Sequence, residues 1–351
     1  MGSGGFQEAI ARGLSNALRR ADKVKWDLQE TKAVVFSDLH RGQQDAADDF
    51  RPCAENYARA LEFYLGAGYT LIALGDSEDL WEAWPGKVLP KYAELLGVEA
   101  RFHRSGSNRF FKMWGNHDDL WQYPQQVAKH LSAFCGEIAV PEGLEVRFKQ
   151  GEIEIGRIFL VHGHQGTPES DKWNKVSRQF VRWVWRPIQR LVKVSLNTPA
   201  KSFELRKKHD RAMYDWAAAT KGLILIAGHT HRPVFLGKPH VETLERIYRT
   251  ITDTTLETMS AERSKERKLA ESEIEWAKAE AGEGALEAAA RRDRPCYFNA
   301  GCCAFSNGDV TGIEIAGDEI RLVRWSTELE NPANRVLESR GLSGIFAELR
   351  S

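Results

Sequence analysis

The five cysteines, Cys53, Cys135, Cys296, Cys302 and Cys303, are odd in number and form no CxxC pair. That argues against a disulfide framework and against a zinc ribbon, and suggests a reduced, cytoplasmic protein. The chain lacks net charge, with 49 Lys+Arg against 49 Asp+Glu, so bulk charge points to no nucleic acid or membrane partner. No apolar run approaches the ~18 residues of a transmembrane helix. The N-terminal MGSGGFQEAIARGLSNALRR has no uninterrupted apolar stretch of the signal-peptide kind. Apolar residues as a class are plentiful: 42% of 351 residues are hydrophobic, enough for a sizeable core, and the length allows two domains or one with large insertions.

Strand-like runs recur, each ending in a polar or metal-binding residue. KAVVFS leads to Asp38, YTLIALG to Asp76, FFKMWG to Asn116 and His117, RIFLV to His162, GLILIAG to His229 and His231, and PCYFNAG to Cys302. Helices are expected over 6–29, 51–66 and 120–135, and the alternation of strands with helices predicts an α/β fold. In such sheets ligands lie beyond the carboxyl ends of the strands. GDVTGIEIAGDEIRLVRW reads as a closing hairpin turning at Gly317 and Asp318.

In VVFSDLHRG, Asp38 and His40 stand one residue apart at the end of an apolar run. Strand alternation would aim both to one side, which is half of a metal site. The other strand ends supply Asp76, Asn116, His162, His229 and His231. Carboxylate, imidazole and one amide oxygen suit borderline divalent ions such as manganese, iron or zinc. Two such ions about 3.5–4 Å apart can clamp the attacking and leaving oxygens of a displacement at phosphorus. A single histidine at a strand end is more often a structural hydrogen-bonding group; seven donors in register argue otherwise. His164 is expected behind the ligands, Asp118 and Asp119 as caps of the next helix, and Cys302 and Cys303 as buried small side chains. His103, His130, His209 and His240 carry no special signal.

The ordered blocks DLH, GDSED, GNHD, VHGH and GHTH resemble the calcineurin-like metallophosphoesterase superfamily over roughly 32–165 and 222–325. The resemblance implies a single domain over 1–351, a sandwich of two mixed sheets flanked by helices. It implies two metal ions, manganese first and iron or zinc as alternatives. One would be held by Asp38, His40, Asp76 and His231, the other by Asp76, Asn116, His162 and His229, with Asp76 bridging. Metal-activated water would then hydrolyse a phosphomonoester, phosphodiester or pyrophosphate bond. His117 would face substrate and serve the leaving oxygen, oriented by Asp79.

Two stretches interrupt the strand rhythm, a helical lid insertion over 166–221 and a charged helical insertion over 237–294. From 171 to 211 the first carries twelve Lys/Arg against three acids, with Arg178, Arg182, Arg186 and Arg190 striping one helix face beside Trp183 and Trp185. That composition fits an interfacial helix on anionic lipid, an amphipathic cover with solvated arginines, or, less well, a surface for nucleic acid. With SDLHRG and GDSEDLWEAW, the lid resembles that of UDP-2,3-diacylglucosamine pyrophosphatases, but that subgroup has arginine where this chain has His117. A related but distinct phosphoesterase is therefore expected, acting on a phosphorylated small molecule or lipid-linked substrate, with peripheral membrane contact through 172–211. The rivals are a nuclease or nucleotide phosphodiesterase, and a non-catalytic binding scaffold. The filled ligand positions argue against the scaffold.

Overall fold

Residues 3–106, 108–167, 199–239, 294–305, 307–326 and 334–351 are described by a computed structural model of the chain. Thirteen strands are described: β1 (Asp22–Asp27), β2 (Lys32–Phe36), β3 (Thr70–Leu74), β4 (Phe110–Met113), β5 (Gly143–Gln150), β6 (Ile153–Val161), β7 (Leu223–Ala227), β8 (Pro233–Phe235), β9 (Lys238–Pro239), β10 (Tyr297–Ala300), β11 (Val310–Ala316), β12 (Glu319–Trp325) and β13 (Asn334–Gly341). They form a seven-stranded sheet, β1-β5-β6-β7-β10-β8-β9, and a six-stranded sheet, β13-β12-β11-β2-β3-β4. Both sheets are mixed. β2, β3 and β4 run parallel in one, and β6, β7 and β10 run parallel in the other.

The two-residue period of the central strands explains the layering. Ala33 and Val35 of β2, with Ile72 and Leu74 of β3, belong to a core that also takes in Leu144, Val146, Ile158 and Leu160 of the other sheet. Their alternates, Val34, Phe36, Leu71 and Ala73, join Tyr57, Ala60, Leu61 and Tyr64 of the helix Ala54–Gly66 and Ala100 and Phe102 of the helix Ala93–Arg104. Each fully buried Val, Leu, Ile or Phe among them stabilises the fold by roughly 1.5–3 kcal/mol. The α/β sandwich flanked by helices is therefore as expected.

Local readings differ in three places. The helix expected over 6–29 runs only from Ser3 to Arg20, and residues 22–27 form β1, paired parallel to β5. Val24 and Trp26 alternate with Lys23 and Lys25, and both pack on the core, so a free strand edge overrides helical propensity. The segment 120–135 is a 3-10 turn (Asp119–Gln122) and two short helices, Pro124–His130 and Ser132–Cys135, divided first at Pro124. β5 and β13 also went unread in the sequence. Much of the 166–221 and 237–294 insertions lies outside the described residues; within them the helix Pro199–Ala219 and β9 are described. Among the described residues, no helix is long and apolar enough to cross a membrane.

Candidate active site

Asp38 and His40 follow β2, Asp76 follows β3, and Asn116 and His117 follow β4. His162 follows β6, and His229 and His231 follow β7. Parallel strands deliver these loops to one end of the sandwich, where all nine singled-out residues, Asp79 included, come together. The reason differs from simple strand alternation. Asp38, His40, Asp76, His229 and His231 all have left-handed backbones, with φ of +55°, +52°, +49°, +68° and +58°. Such a conformation costs an L-residue about 1–2 kcal/mol, and Asp and His tolerate it better than most. Hydrogen bonds hold it: Asp38 N donates to Gly75 O (3.2 Å), His40 N to Asp76 O (2.9 Å) and Arg41 N to Ser77 O (3.1 Å). Close approach also needs glycine at 115, where a Cβ would collide with Asp76 Oδ1.

Two clusters form. In Asp38, His40 and His231, and again in Asp76, His162 and His229, ligand-capable atoms all lie within 4.8 Å of one another. In the first, His231 Nε2 is 3.2 Å from Asp38 Oδ1 and 3.1 Å from His40 Nε2. In the second, His162 Nε2 is 3.1 Å from Asp76 Oδ2. Asp76 Oδ2 is also 3.9 Å from His40 Nε2, so its carboxylate touches both clusters. Asn116 is buried, and its Oδ1 has no hydrogen-bond partner; the same holds for Asp38 Oδ1 and His162 Nε2. Burial alone would raise Asp38 and Asp76. The imidazole of His162, joined by His231 for Asp38 and by His117 for Asp76, outweighs it and holds both carboxyls below the usual range. Burial, with His209 and His162 nearby, keeps His229 neutral, the form in which an imidazole binds metal.

The surrounding groups fix these donors. His162 Nδ1 lies 2.9 Å from Leu74 O, a bond in which Nδ1 donates and which leaves Nε2 to face the site. Asp38 Oδ2 accepts from His229 N at 2.9 Å, tying the two sheets' loops together. Asp118 was expected to cap a helix, but it makes no side-chain cap. Its carboxylate accepts instead from Gly115 N (2.6 Å), Asp76 N (3.2 Å) and Ser77 N (2.8 Å), clamping two ligand loops. Below the Asp38–Asp76 side lies a buried charge network. Glu78 pairs with Arg41 Nη1 (3.3 Å) and Lys112 Nζ (3.0 Å) and accepts from Trp121 Nε1 (2.8 Å), while Arg41 also pairs with Glu99.

Below the His229–His231 side is a residue pair the sequence reading passed over. His209 and Asp210 sit on the helix Pro199–Ala219 and are buried. His209 Nε2 lies 2.7 Å from Gly163 O, and its ring stands 4.9 Å from that of His229. Asp210 Oδ1 accepts from Thr230 Oγ1 (2.9 Å) and Tyr297 OH (2.8 Å), and Oδ2 is 3.4 Å from Arg232 Nη1. Arg206, one turn before Asp210, is near enough to His231 to bear on its charge. The available signal was the spacing of Arg206, His209, Asp210 and Met213 along one helix face.

His117 Nδ1 lies 3.3 Å from Asp79 Oδ1, the pairing expected. Burial opposes its charge, but Asp76 and Asp79 outweigh burial and raise its pKa to about 10. His164 is buried against His162, His229 and Trp114, behind the two clusters, and burial with His162 lowers its pKa to about 3. Cys302 and Cys303 are buried, as expected, and burial pushes both thiols up.

Comparison with curated proteins gave no match. A family model described as calcineurin-like phosphoesterase matches residues 31–233, from just before β2 to the start of β8 and more than half of the chain. With two acid–imidazole clusters at the ends of parallel strands, this match places the chain in the calcineurin-like phosphoesterase family, whose members are metal-dependent hydrolases of phosphoric esters.

Proposed function

We propose that the two clusters are the halves of a dinuclear metal site at which this chain hydrolyses a phosphomonoester, phosphodiester or pyrophosphate bond. One ion is assigned to Asp38, His40, Asp76 and His231, the other to Asp76, Asn116, His162 and His229. The contact between His162 and Asp76 carries the reading. With Nδ1–H given to Leu74 O, the buried His162 points Nε2 at Asp76 Oδ2, 3.1 Å away. Without metal, a proton on this ring answers the carboxylates of Asp76 and Asp38, and a divalent cation bound there would take that proton's place. The partnerless Asp38 Oδ1 and Asn116 Oδ1 fit the same account. Bound there, divalent ions would supply Lewis-acid polarisation of the phosphoryl group and a water of lowered pKa. Manganese is the assignment, and iron or zinc would use the same donors.

The chain's own contribution to the reaction is the proton. A water oxygen bonds to phosphorus, the ester P–O bond breaks, and the leaving oxygen takes the proton of His117 Nε2. Asp79 holds Nδ1, and a pKa raised to about 10 keeps the imidazole charged at neutral pH. The basic, Trp-rich stretch 172–211 favours an anionic substrate with an apolar part, such as a lipid-linked phosphate met at an anionic membrane surface. The charge of Arg206, which reaches His231, favours an anion there.

The test is a substrate panel on manganese-reconstituted protein: bis-p-nitrophenyl phosphate, p-nitrophenyl phosphate, a UDP-linked lipid, cyclic nucleotides and single-stranded DNA. Turnover should vanish with chelator and fall at least ~10³-fold in Asp76→Ala, the several kcal/mol that metal clamping supplies. Turnover indifferent to chelator would refute the metal reading. Preference for single-stranded DNA would make the enzyme a nuclease.

A further inference from the structure

His117 is held by more than its carboxylate partner. Its Nδ1–Asp79 bond, at 3.3 Å, is long for a hydrogen bond and fixes one ring atom only. The imidazole is also 26% exposed, so the fold does not enclose it. Left to that bond, the ring could pivot about Nδ1 and carry Nε2 away from a leaving oxygen. Two neighbours remove this freedom. The Trp81 ring lies parallel to the His117 ring, with centroids 4.5 Å apart and planes 15° from coplanar. The His40 ring meets His117 edge-on, with centroids 4.6 Å apart and planes at 89°.

The segment bearing Trp81 is itself anchored. Leu80 and Ala83, on either side, are buried in the cluster with Val88, Leu89 and Trp121. Leu80 N donates to His117 O at 3.1 Å, joining the two loops directly, and Asp79 Oδ1 accepts from Glu82 N at 3.2 Å. One five-residue segment thus supplies both the bond to Nδ1 and the flat surface against the ring. An indole face also attracts a cationic ring.

We infer that Trp81 is a positioning residue for His117, fixing the plane of the imidazole so that Nε2 is aligned with the leaving-group oxygen. Trp81 acts through His117 and does not touch the reacting atoms. This rests on the reading of His117 as the group that protonates the leaving oxygen.

Leaving-group dependence tests it. Phenolate needs a proton more than p-nitrophenolate does. For Trp81→Leu, kcat should fall about 10- to 100-fold on phenyl esters and less than about threefold on p-nitrophenyl esters, part of the 10²–10⁴-fold that general acid catalysis supplies. Trp81→Phe, which keeps a flat face, should recover most of the loss. In a His117→Asn background, Trp81→Leu should change nothing further. A second readout needs no activity: in metal-free protein, the His117 ring protons should move downfield by NMR when the indole ring current is removed. Equal losses on both esters, a further loss in the His117→Asn background, or unmoved His117 signals would overturn the inference. If His117→Asn itself shows no leaving-group dependence, the reading of His117 as the acid fails, and the NMR shift still decides whether Trp81 holds the ring.

Discussion

Beneath Asp38, His40 and Asp76 lie four full charges, Arg41, Glu78, Glu99 and Lys112, buried and mutually compensated. Beneath His229 and His231, support comes from one ion pair, Asp210 with Arg232, and from hydrogen bonds through Thr230, Tyr297 and Asn299, whose Nδ2 donates to Gly228 O at 2.7 Å. Two of the four members of the first network stand beside ligands in sequence: Arg41 follows His40 and Glu78 follows Asp76 by two. The second depends on a helix from the region between the VHGH and GHTH blocks, so half of the site is completed by what looked like an insertion. A charge network ties each member's removal to an uncompensated buried charge, whereas a hydrogen-bond network loses its members more gently.

Glu78→Gln should show the larger effect. It is nearly isosteric, yet it takes the paired carboxylate from Lys112 and leaves Arg41 with Glu99, and should destabilise the fold by about 3–5 kcal/mol in denaturant titrations. Tyr297→Phe, which removes one hydrogen bond to Asp210 Oδ1 and no charge, should cost about 1–3 kcal/mol, the range for a lost buried hydrogen-bond partner. It should also lower metal affinity roughly tenfold or more, as loss of outer support does. If Tyr297→Phe proved as damaging to stability as Glu78→Gln, the contrast between the two halves would fail.

The first half of the site was largely legible in the sequence and the second only in part. Apolar runs ending in DLH, GDSED and GNHD are local signals, and short strand-to-loop transitions keep the ligand in register with the run before it. His162, His229 and His231 were legible for the same reason. The left-handed backbone at five of these positions was not, since residue identity permits that conformation without demanding it. Asp118 was misread because an aspartate before a helical turn is ordinarily a cap, and only the tertiary arrangement offers it Gly115 N, Asp76 N and Ser77 N. His209 went unread because its partners, Gly163 and His229, are remote in sequence. β1 was lost to helical propensity because the pairing with β5 lies more than a hundred residues away.

The most direct test of the account is a calorimetric titration of the metal-free protein with Mn²⁺, run at several pH values in buffers of different ionisation heat. Burial opposes a charge on His162, but Asp76 and Asp38 outweigh it and raise its pKa to about 9. The metal-free ring is therefore protonated at pH 7 and must release its proton to become a ligand. The account predicts two ions per chain, protons released on binding at pH 7, and affinity that rises as pH approaches about 9. Fewer than two ions, or binding with no proton release at pH 7, would contradict the assignment of the clusters to a dinuclear metal site.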